Sequence, residues 1–208
     1  MRSDPPPRIS VLIITLNEER LLERVLESVR WADEVVVVDS GSIDRTEEIA
    51  RRYTEHFFVR EYEGEGEQRR RSLELSSGDW ILYVDGDEVV TAQLATSIRA
   101  AVADPKGHDG FRVQLHTWLL GRWFGKRGWR KEWKVRLFRR GRGSFSPVRV
   151  HSGSVVEGPI GTLAGPLLHF PYRDLEHLTM KMNRYSSTAA VSSIVVTEKF
   201  PSPNSTAP

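Results

Sequence analysis

The chain has 208 residues, a length that fits one domain or one domain with an appendage. Hydrophobic residues make up 39% and charged residues 28% of it, which allows a core and excludes disorder throughout. The absence of cysteine excludes a disulfide-stapled scaffold, thiolate metal sites and thiol nucleophiles. No apolar run approaches the roughly 20 residues that span a bilayer, and the polar, proline-rich start does not resemble a signal peptide. We therefore expect a soluble protein of the cell interior.

Charge is distributed unevenly, although the net charge is only +2. The first 100 residues carry 13 Lys and Arg against 21 Asp and Glu, whereas the other 108 carry 17 against 7. Residues 122–149 alone hold eleven Lys and Arg and a single acid, Glu132. Such a basic block either binds an anionic partner (a phosphate, a membrane surface or a nucleic acid) or forms a solvated basic face.

Short apolar runs alternate with helical patterns over the first 90 residues. The runs predict strands at Ile9–Ile14, Glu34–Val38, His56–Val59 and Asp79–Val84. Helical spacing predicts helices at Glu18–Arg30, Asp44–Tyr53 and Gln68–Ser77. A loop is predicted at Glu61–Glu67, and Asp44 and Thr91 are the predicted N-caps. Apolar runs without alternation are typical of parallel strands that are covered on both faces. This order predicts an open, mostly parallel α/β sheet flanked by helices.

A different pattern follows Gly110. Phe111–Leu115 and Lys134–Phe138 alternate as half-buried strands do, and between them aromatic residues are interspersed with basic residues and glycines. Asp174 is predicted to cap a last helix from Leu175 to Ser187. We predict an α/β half over residues 8–105, a smaller basic and aromatic region over 106–190, and a disordered tail over 191–208.

Polar clusters follow three of the predicted strands, at 15–18, 39–42 and 85–88. Ligands gather outside the carboxyl ends of the strands in open α/β sheets, so these clusters are expected to meet. In Asp85-Gly86-Asp87-Glu88, three carboxylates share one turn and repel one another without a cation. Hard oxygen ligands suit Mg²⁺ or Mn²⁺, which keep substrate phosphate oxygens as further ligands. The alternative is an acidic surface turn, because Asp-Gly is a common turn dipeptide.

Two further residues allow more than one interpretation. Asp39 ends the second strand, and its carboxylate fits either a base imide or ribose hydroxyl or a cap for the next helix. For Ser42 and Asp44 nearby, capping alone is preferred. His169 is either an ordinary buried histidine, a metal ligand or a contact to a diphosphate.

Several classes of protein lack their motifs here. Without a Walker A sequence or a G-x-G-x-x-G, phosphate-loop NTPases and dinucleotide dehydrogenases are disfavoured. Without H-E-x-x-H or G-x-S-x-G, so are zincins and α/β-hydrolases. A nucleotidyltransferase would need a glycine-rich phosphate loop followed by Lys or Arg, which residues 15–19 do not provide. A nucleic-acid-binding module would gain nothing from three acids beside its basic block, so no nucleic acid is expected as a partner.

The segments ISVLIITLNEE, ADEVVVVDSGSIDRT and GDWILYVDGDE, with the later VRLFRR, VH and LLHF, resemble family-2 glycosyltransferases of the GT-A fold. The resemblance covers about residues 8–190 and is strongest to bacterial lipopolysaccharide core-type enzymes. It implies an inverting, metal-dependent transfer of a sugar from a nucleotide-diphospho-sugar to a hydroxyl acceptor. The acceptor would be an anionic glycan or lipid-linked, in lipopolysaccharide or other cell-surface glycan synthesis. The enzyme would be cytoplasmic, with peripheral contact at the inner face of the membrane.

The resemblance also implies roles for individual residues. Thr15, Asn17 and Glu18 match the family's first nucleotide pocket, and Asp39 matches its base-binding aspartate. Asp85 and Asp87 match the DxD motif, in which the first meets ribose or metal and the second the metal. His169 matches a later histidine, assigned here to the metal, and Arg70 is assigned to the nucleotide. Residues 8–105 would then bind the donor and 106–190 would face the acceptor.

Two features depart from the family pattern. Relatives commonly have His-Glu where this chain has His151-Ser152, and that glutamate is the natural general base of an inverting transfer. Glu88 and Glu157 are the candidates that remain for this role. The segment Val191–Pro208 also looks unrelated to the family, as it would after a truncation or a frameshift. The alternative function is therefore a weakened or inactive homologue that only binds nucleotide.

Overall fold

The computed structural model describes residues 5–125, 131–145, 153–172, 174–176 and 178–180. Within them a large mixed sheet lies at the centre and a two-stranded pair lies beside it. The sheet contains β1 (Ile9–Thr15), β2 (Glu34–Asp39), β3 (Phe57–Val59), β4 (Trp80–Asp85), β5 (Glu88–Val90), β6 (Gly110–Leu119), β7 (Arg122–Phe124), β8 (Glu132–Arg139) and β11 (Ile160–His169). The pair is β9 (Gly143–Phe145) and β10 (Ser154–Val156). The helices are α1 (Leu22–Ser28), α2 (Thr46–Arg51), α3 (Glu65–Glu74) and α4 (Ala92–Ala103).

The order of strands in the sheet is β3-β2-β1-β4-β8-β6-β11-β5, with β7 paired to β6. β1 to β4 pair in parallel, β8 runs antiparallel between β4 and β6, and β11 lies parallel to β6. As a result β1, β2, β4, β6 and β11 all end at one edge of the sheet, where β5 and β8 begin. We call this the carboxyl edge. The predicted fold class, a mostly parallel α/β sheet flanked by helices, is confirmed.

The central strands are buried on both faces, which explains the missing alternation in their sequence. Val11 and Ile13 of β1 are fully buried in the core beneath α1 and α4. Leu12, between them, points to the opposite face and joins a second core that includes Val36 and Leu73 of α3. The two cores hold the strands, and therefore the carboxyl edge, in a fixed geometry.

Two helices begin at residues other than the predicted ones. α1 begins at Leu22 rather than Glu18, and residues 19–21 form a turn that leads into it. The backbone N–H of Glu18 donates to Thr46 Oγ1 at 2.9 Å, and its carbonyl accepts the N–H of Leu22 at 2.9 Å. α3 begins at Glu65, inside the predicted loop Glu61–Glu67. Gly64 before it adopts φ 121°, which suits glycine, and acidic residues in its first turn are favoured by the helix dipole.

The predicted caps differ in outcome. Thr91 caps α4 as predicted, and its Oγ1 accepts the backbone N–H of Leu94 at 3.2 Å. Asp44 does not occupy the N-cap position, because α2 begins only at Thr46, although Asp44 Oδ1 accepts the N–H of Thr46 at 3.0 Å. Of the predicted helix Leu175–Ser187, residues 175–176 and 178–180 are helical. Its remainder, the tail and the His151-Ser152 pair lie outside the described residues.

The sheet extends across both predicted regions. β5 lies in the first region and pairs with β11 of the second, and β4 pairs with β8. The larger core also contains residues from both, such as Val11 and Leu137. The division at residue 105 therefore stays a prediction about function rather than a break in the sheet.

Candidate functional site

Two loops at the carboxyl edge are tied to each other. The backbone N–H of Asn17 donates to Ser42 Oγ at 2.7 Å, and Asn17 Oδ1 accepts the N–H of Ile43 at 2.9 Å. The N–H of Glu18 is held in the same way by Thr46. Asn17 adopts φ 55°, a left-handed conformation that asparagine tolerates better than most residues. Asn17 and Glu18 thus fix the path of the loop between β1 and α1.

Thr15 lies between the ends of β2 and β4. It is opposite Asp39 of β2, and its neighbour Ile14 is opposite Asp85 of β4, so the two aspartates are two strand spacings apart, about 10 Å. Thr15 Oγ1 is buried and has no hydrogen-bond partner in the part of the chain that is described. Because an unpaired buried hydroxyl is unfavourable, this atom indicates a position for a ligand or a water molecule.

Asp39 is only 2% exposed, and its own loop uses its carboxylate. Oδ2 accepts the backbone N–H groups of Gly41 and Ser42 at 2.9 and 2.7 Å, and Oδ1 accepts the Ser42 hydroxyl at 2.5 Å. Asp39 therefore closes its own loop and does not cap the next helix, because α2 begins only at Thr46. Contact with a base stays a prediction, for which Oδ1 retains a lone pair.

Asp85 is held by two arginines. Arg69 Nη2 donates to Asp85 Oδ1 at 2.7 Å, and Arg136 Nη2 donates to Oδ2 at 3.3 Å. Arg136 also pairs with Glu88, whose second oxygen accepts the backbone N–H of Asp85 at 3.0 Å. The Tyr83 ring lies against both guanidinium groups, at 5.2 Å from Arg69 and 4.4 Å from Arg136. Of the three carboxylates in the turn Asp85–Glu88, those of Asp85 and Glu88 therefore have arginine side chains as their cationic partners.

Burial opposes charge on every member of this cluster. Burial raises the pKa of Asp85, but Arg69 and Arg136 outweigh it and hold that pKa well below its usual range. Burial lowers the pKa of both arginines, and their carboxylate partners raise it above the ordinary value. For Glu88, burial and the nearby Asp85 charge exceed the effect of Arg136, so its pKa is raised. At neutral pH the charge on Asp85 is already balanced by protein cations.

Asp87 and His169 form a second group at the carboxyl edge. Asp87 Oδ2 lies 3.7 Å from His169 Nε2, and the two side chains are 14% and 22% exposed. Strand pairing fixes this spacing, because His169 is opposite Glu88 and the N–H of Phe170 donates to the Asp87 carbonyl at 2.9 Å. The other ring nitrogen, Nδ1, lies 3.3 Å from Thr117 Oγ1. Such an outer partner is what orients a metal-binding histidine.

Two of the three predicted metal ligands, Asp87 and His169, are placed to hold a hard divalent cation. Among the described residues, no three Asp, Glu or His side chains are grouped as metal ligands. Both Asp85 oxygens are engaged by arginines, so its assignment to the metal is not reproduced. Asp87 and His169 remain, and their 3.7 Å separation is close to the ~3 Å between neighbouring ligands in an octahedral shell. One or two protein ligands completed by phosphate oxygens are the usual arrangement for Mg²⁺.

A cleft of ≈ 580 Å³ opens beside these groups. Arg69, Tyr83, Asp85 and Arg136 line its floor, and its outer wall includes Glu132, Trp133, Lys134 and Tyr172. His169 lines the same cleft. The volume lies within the range of small-molecule and cofactor sites. The cleft therefore joins the predicted donor residues to the basic and aromatic region.

Neither predicted base faces this cleft. Glu88 is 1% exposed and paired with Arg136, so an acceptor does not reach it. The N–H of Glu157 donates to the carbonyl of Arg142, which follows the end of β8 at the opposite edge of the sheet from Asp85. The geometry contradicts both assignments. The Glu88 carboxylate is too deeply buried to contact an acceptor, and the Glu157 carboxylate lies too far from the cleft.

The assignment of Arg70 is also contradicted. Its guanidinium pairs with Glu67 and Glu74 on the exposed side of α3, whereas its neighbour Arg69 enters the cleft. Consecutive helix positions differ by about 100°, which turns the two arginines apart. The missed signal is the polar buried face of α3, which includes Arg69 and Gln68. Gln68 Nε2 donates to Ser40 Oγ at 3.0 Å and so supports the Asp39 loop.

Comparison with known proteins defines the class. Residues 10–154, more than half of the chain, match the model of the family described as glycosyl transferase family 2. The chain belongs to this family, and the resemblance noted in its sequence is confirmed.

Two relatives illustrate the likeness. The chain is 32% identical over 193 residues to the lipopolysaccharide core biosynthesis glycosyltransferase LpsC of Rhizobium meliloti, covering 89% of this chain and 72% of the relative. It is 28% identical over 205 residues to an uncharacterized glycosyltransferase of Rickettsia typhi, covering 93% and 70%.

Solved structures match over a shorter span. Glucosyl-3-phosphoglycerate synthase from Mycobacterium tuberculosis, in complex with Mg²⁺ and uridine diphosphate, is 26% identical with a TM-score of 0.46, covering 58% of this chain and 45% of that one. S. aureus TarS 1–349 in complex with UDP-GlcNAc is 27% identical with a TM-score of 0.47, covering 55% and 36%. The chain thus spans less than half the length of either structure.

None of the helices in the described ranges combines the length and the apolar character that crossing a bilayer requires.

Proposed function

We propose that this chain transfers a sugar from a nucleotide-diphospho-sugar to a hydroxyl of an anionic glycan or lipid-linked acceptor, with inversion, in the synthesis of lipopolysaccharide or another cell-surface glycan. Family membership supports the reaction class, and the likeness to LpsC supports the pathway. The observation that carries the proposal is the meeting of Asp39, Asp87 and His169 at one edge of the sheet, beside the cleft.

The nucleotide would bind over the ends of β1 and β2. Thr15 offers a buried hydroxyl, and Asp39 offers the remaining acceptor capacity of Oδ1 to a base imide or a ribose hydroxyl. The loop of Asn17 and Glu18 is held rigidly to the Asp39 loop, so this pocket is formed before the ligand arrives. A preformed pocket keeps the entropic cost of binding low.

Asp87 and His169 would hold a Mg²⁺ or Mn²⁺ ion against the donor's diphosphate. When bound, such an ion supplies Lewis-acid stabilisation of the charge that develops on the leaving nucleotide. Thr117 keeps the His169 ring in place. Asp87 supplies the negative charge for the ion, because the carboxylate of Asp85 is already paired with arginines. Arg69 and Arg136 stay at the floor of the cleft and fix Asp85, which remains placed for a ribose hydroxyl.

The acceptor would enter from the β8 side, where Glu132 is our candidate for the general base. Of the described carboxylates that line the cleft, Asp85 is bound to two arginines and Glu65 lies 3.7 Å from Arg69. Glu132, the first residue of β8, is 52% exposed at the carboxyl edge, and its recorded ion pair within the described residues is with Lys134 in the outer wall. An inverting transfer needs a carboxylate on the acceptor side, opposite the leaving diphosphate.

The proposed site of action is the cytoplasmic face of the inner membrane. A lipid-linked acceptor would be presented there, and the basic block over 122–149 suits an anionic surface. Contact through this basic block would be peripheral.

A turnover assay tests the proposal. The protein is incubated with UDP-, GDP- and TDP-sugars, Mn²⁺ and a lipid-extracted acceptor, and released nucleoside diphosphate and the anomeric configuration of the product are measured. We expect release with at least one donor and a product of inverted configuration. Retention of configuration would contradict inversion, and no release from any donor would favour a homologue that only binds nucleotide.

A further inference from the structure

The hairpin between β6 and β7 ends in an unusual turn. Leu119 pairs with Arg122, so the loop consists of Leu120 and Gly121. Both have positive φ, 50° and 77°, as in a type I′ turn. Asn, Asp or Gly normally occupies the first of these positions, because a large side chain is disfavoured in the left-handed region. Leu120 is also 62% exposed, so it stabilises neither the turn nor the core.

Aromatic rings flank this turn and connect it with the site. Trp118 and Trp123 face each other across the hairpin with centroids 5.1 Å apart, and Trp123 packs against Phe170 at 5.5 Å. Phe170 directly follows His169. Because Thr117 pairs with His169, the hairpin tip projects beyond the site at the carboxyl edge. Tryptophan is enriched where proteins meet the interface of a bilayer.

The sequence around the turn is basic. Residues 116–131 contain five Lys and Arg and no Asp or Glu, and the next residue is Glu132. Arg122 in the hairpin and Lys131 before β8 are both exposed. Basic residues beside an exposed leucine and half-buried tryptophans match a surface of anionic lipid head groups over acyl chains.

We propose that the tip of this hairpin, Trp118–Trp123, inserts into the interface of an anionic lipid bilayer. Leu120 would reach the acyl boundary, the two tryptophans would lie at head-group level, and Arg122 would contact lipid phosphates. This deepens the proposed function, and rests on it for its purpose, because it names the surface that brings His169 and the cleft to a lipid-linked acceptor.

Co-sedimentation of the whole protein with vesicles of equal parts phosphatidylglycerol and phosphatidylcholine tests this inference. Leu120→Asn places asparagine before Gly121, the preferred pair for a type I′ turn, so the fold is retained and Tm stays equal or rises. We expect the variant to partition onto the vesicles about tenfold more weakly than the wild type, because it lacks the apolar side chain. Vesicles of phosphatidylcholine alone should bind the wild type more weakly than the anionic ones.

Ile160→Thr is the matched control. Ile160 is 44% exposed and pairs with Gly110 at the far end of β6, about 30 Å from the turn, so its partitioning should equal that of the wild type. Absent binding by the wild type, undiminished binding by Leu120→Asn, or equal loss in the control would overturn the inference. So would self-association through the hairpin without vesicle binding. Nucleotide binding in Leu120→Asn should match that of the wild type, and absent nucleotide binding in both would count against the proposed function instead.

Discussion

Arg136 is 2% exposed and lies between two carboxylates and the Tyr83 ring. A buried cation in such a cluster is favourable only while its partners remain, and each carboxylate likewise depends on the arginine. Arg136 therefore ties the acidic turn to β8 and keeps Asp85 in place beside the cleft. Its role is positioning, since its guanidinium is directed at Asp85 and Glu88.

Replacing this arginine should be costly. We expect Arg136→Met to lower the free energy of unfolding by about 3–5 kcal/mol, because it leaves Glu88 buried and unpaired. Urea unfolding followed by circular dichroism measures the loss. Arg139→Met is the control, since Arg139 is 46% exposed and lies 3.6 Å from Asp109, and should cost about 1 kcal/mol or less. Equal costs for the two variants would show that the buried cluster does not hold the turn.

Glu132 gives a prediction about activity. We expect Glu132→Gln to lower kcat by about 10²–10⁴-fold with little change in donor KM, because only proton removal from the acceptor is lost. Glu47→Gln, at an exposed residue of α2 paired with Arg51, should leave kcat unchanged. A loss of kcat in Glu65→Gln but not in Glu132→Gln would contradict the assignment and move the role to α3.

At the residue scale, the sequence predicted which residues lie at the site better than it predicted their interaction partners. It selected Asp39, Asp85, Asp87 and His169, which the fold brings to one edge. It did not identify the partners of Asp85, because Arg69 and Arg136 lie 16 and 51 residues away in the chain. Their pairing depends on how α3 and β8 pack, which no local pattern encodes.

At the scale of elements, β11 shows how a local irregularity serves packing. The strand shifts register between Thr162 and Pro166, and Gly165 there adopts φ 89°. A Cβ on Gly165 would lie 2.6 Å from the backbone nitrogen of Leu94, at the start of α4. Thr91, the cap of α4, donates its hydroxyl to the Pro166 carbonyl at 2.9 Å. The bulge thus lets β11 pack closely against α4 before the strand ends at His169.

Two glycine variants separate backbone strain from this close approach. Gly107 has φ 78° and open space around it, so Gly107→Ala should cost about 1–2 kcal/mol for the left-handed conformation alone. Gly165→Ala should cost about 1–3 kcal/mol more, because the methyl group also meets the α4 backbone. Chemical denaturation measures both, and similar losses would contradict the proposed contact between β11 and α4.

The existence of elements was predictable where burial dominates the sequence. Ile9–Thr15 and Trp80–Asp85 are central strands buried on both faces, and each appears as one unbroken apolar run. Helix ends were less predictable. Residues 19–21 fit the helical pattern but form a turn before α1, and the backbone N–H of Glu18 donates to Thr46, 28 residues later.

At the scale of the whole molecule, one sheet extends across both halves of the chain. β5 pairs with β11, and β4 pairs with β8. These pairings join segments that are about 80 and 60 residues apart, so strand order could not be deduced from periodicity. Alternation predicted β6 and β8 as strands but did not indicate that they lie between β4 and β11.

The shared sheet has a consequence for unfolding. We expect urea to unfold the described core in one cooperative transition, with coincident curves from far-ultraviolet circular dichroism and tryptophan fluorescence. Trp80 in the first half and Trp133 in the second both contribute to the fluorescence. Two separated transitions would instead support independent folding of residues 8–105.

Calorimetric titration with uridine, guanosine and thymidine diphosphates, with and without Mn²⁺, tests the proposed donor site most directly. We expect at least one nucleotide to bind the wild type about tenfold or more tightly with Mn²⁺, and this gain to vanish in Asp87→Asn and His169→Ala. Asp104→Asn, at the exposed end of α4, should keep the gain. If Asp87→Asn binds nucleotide with the same Mn²⁺ dependence as the wild type, Asp87 and His169 do not hold the ion and the proposed site is wrong.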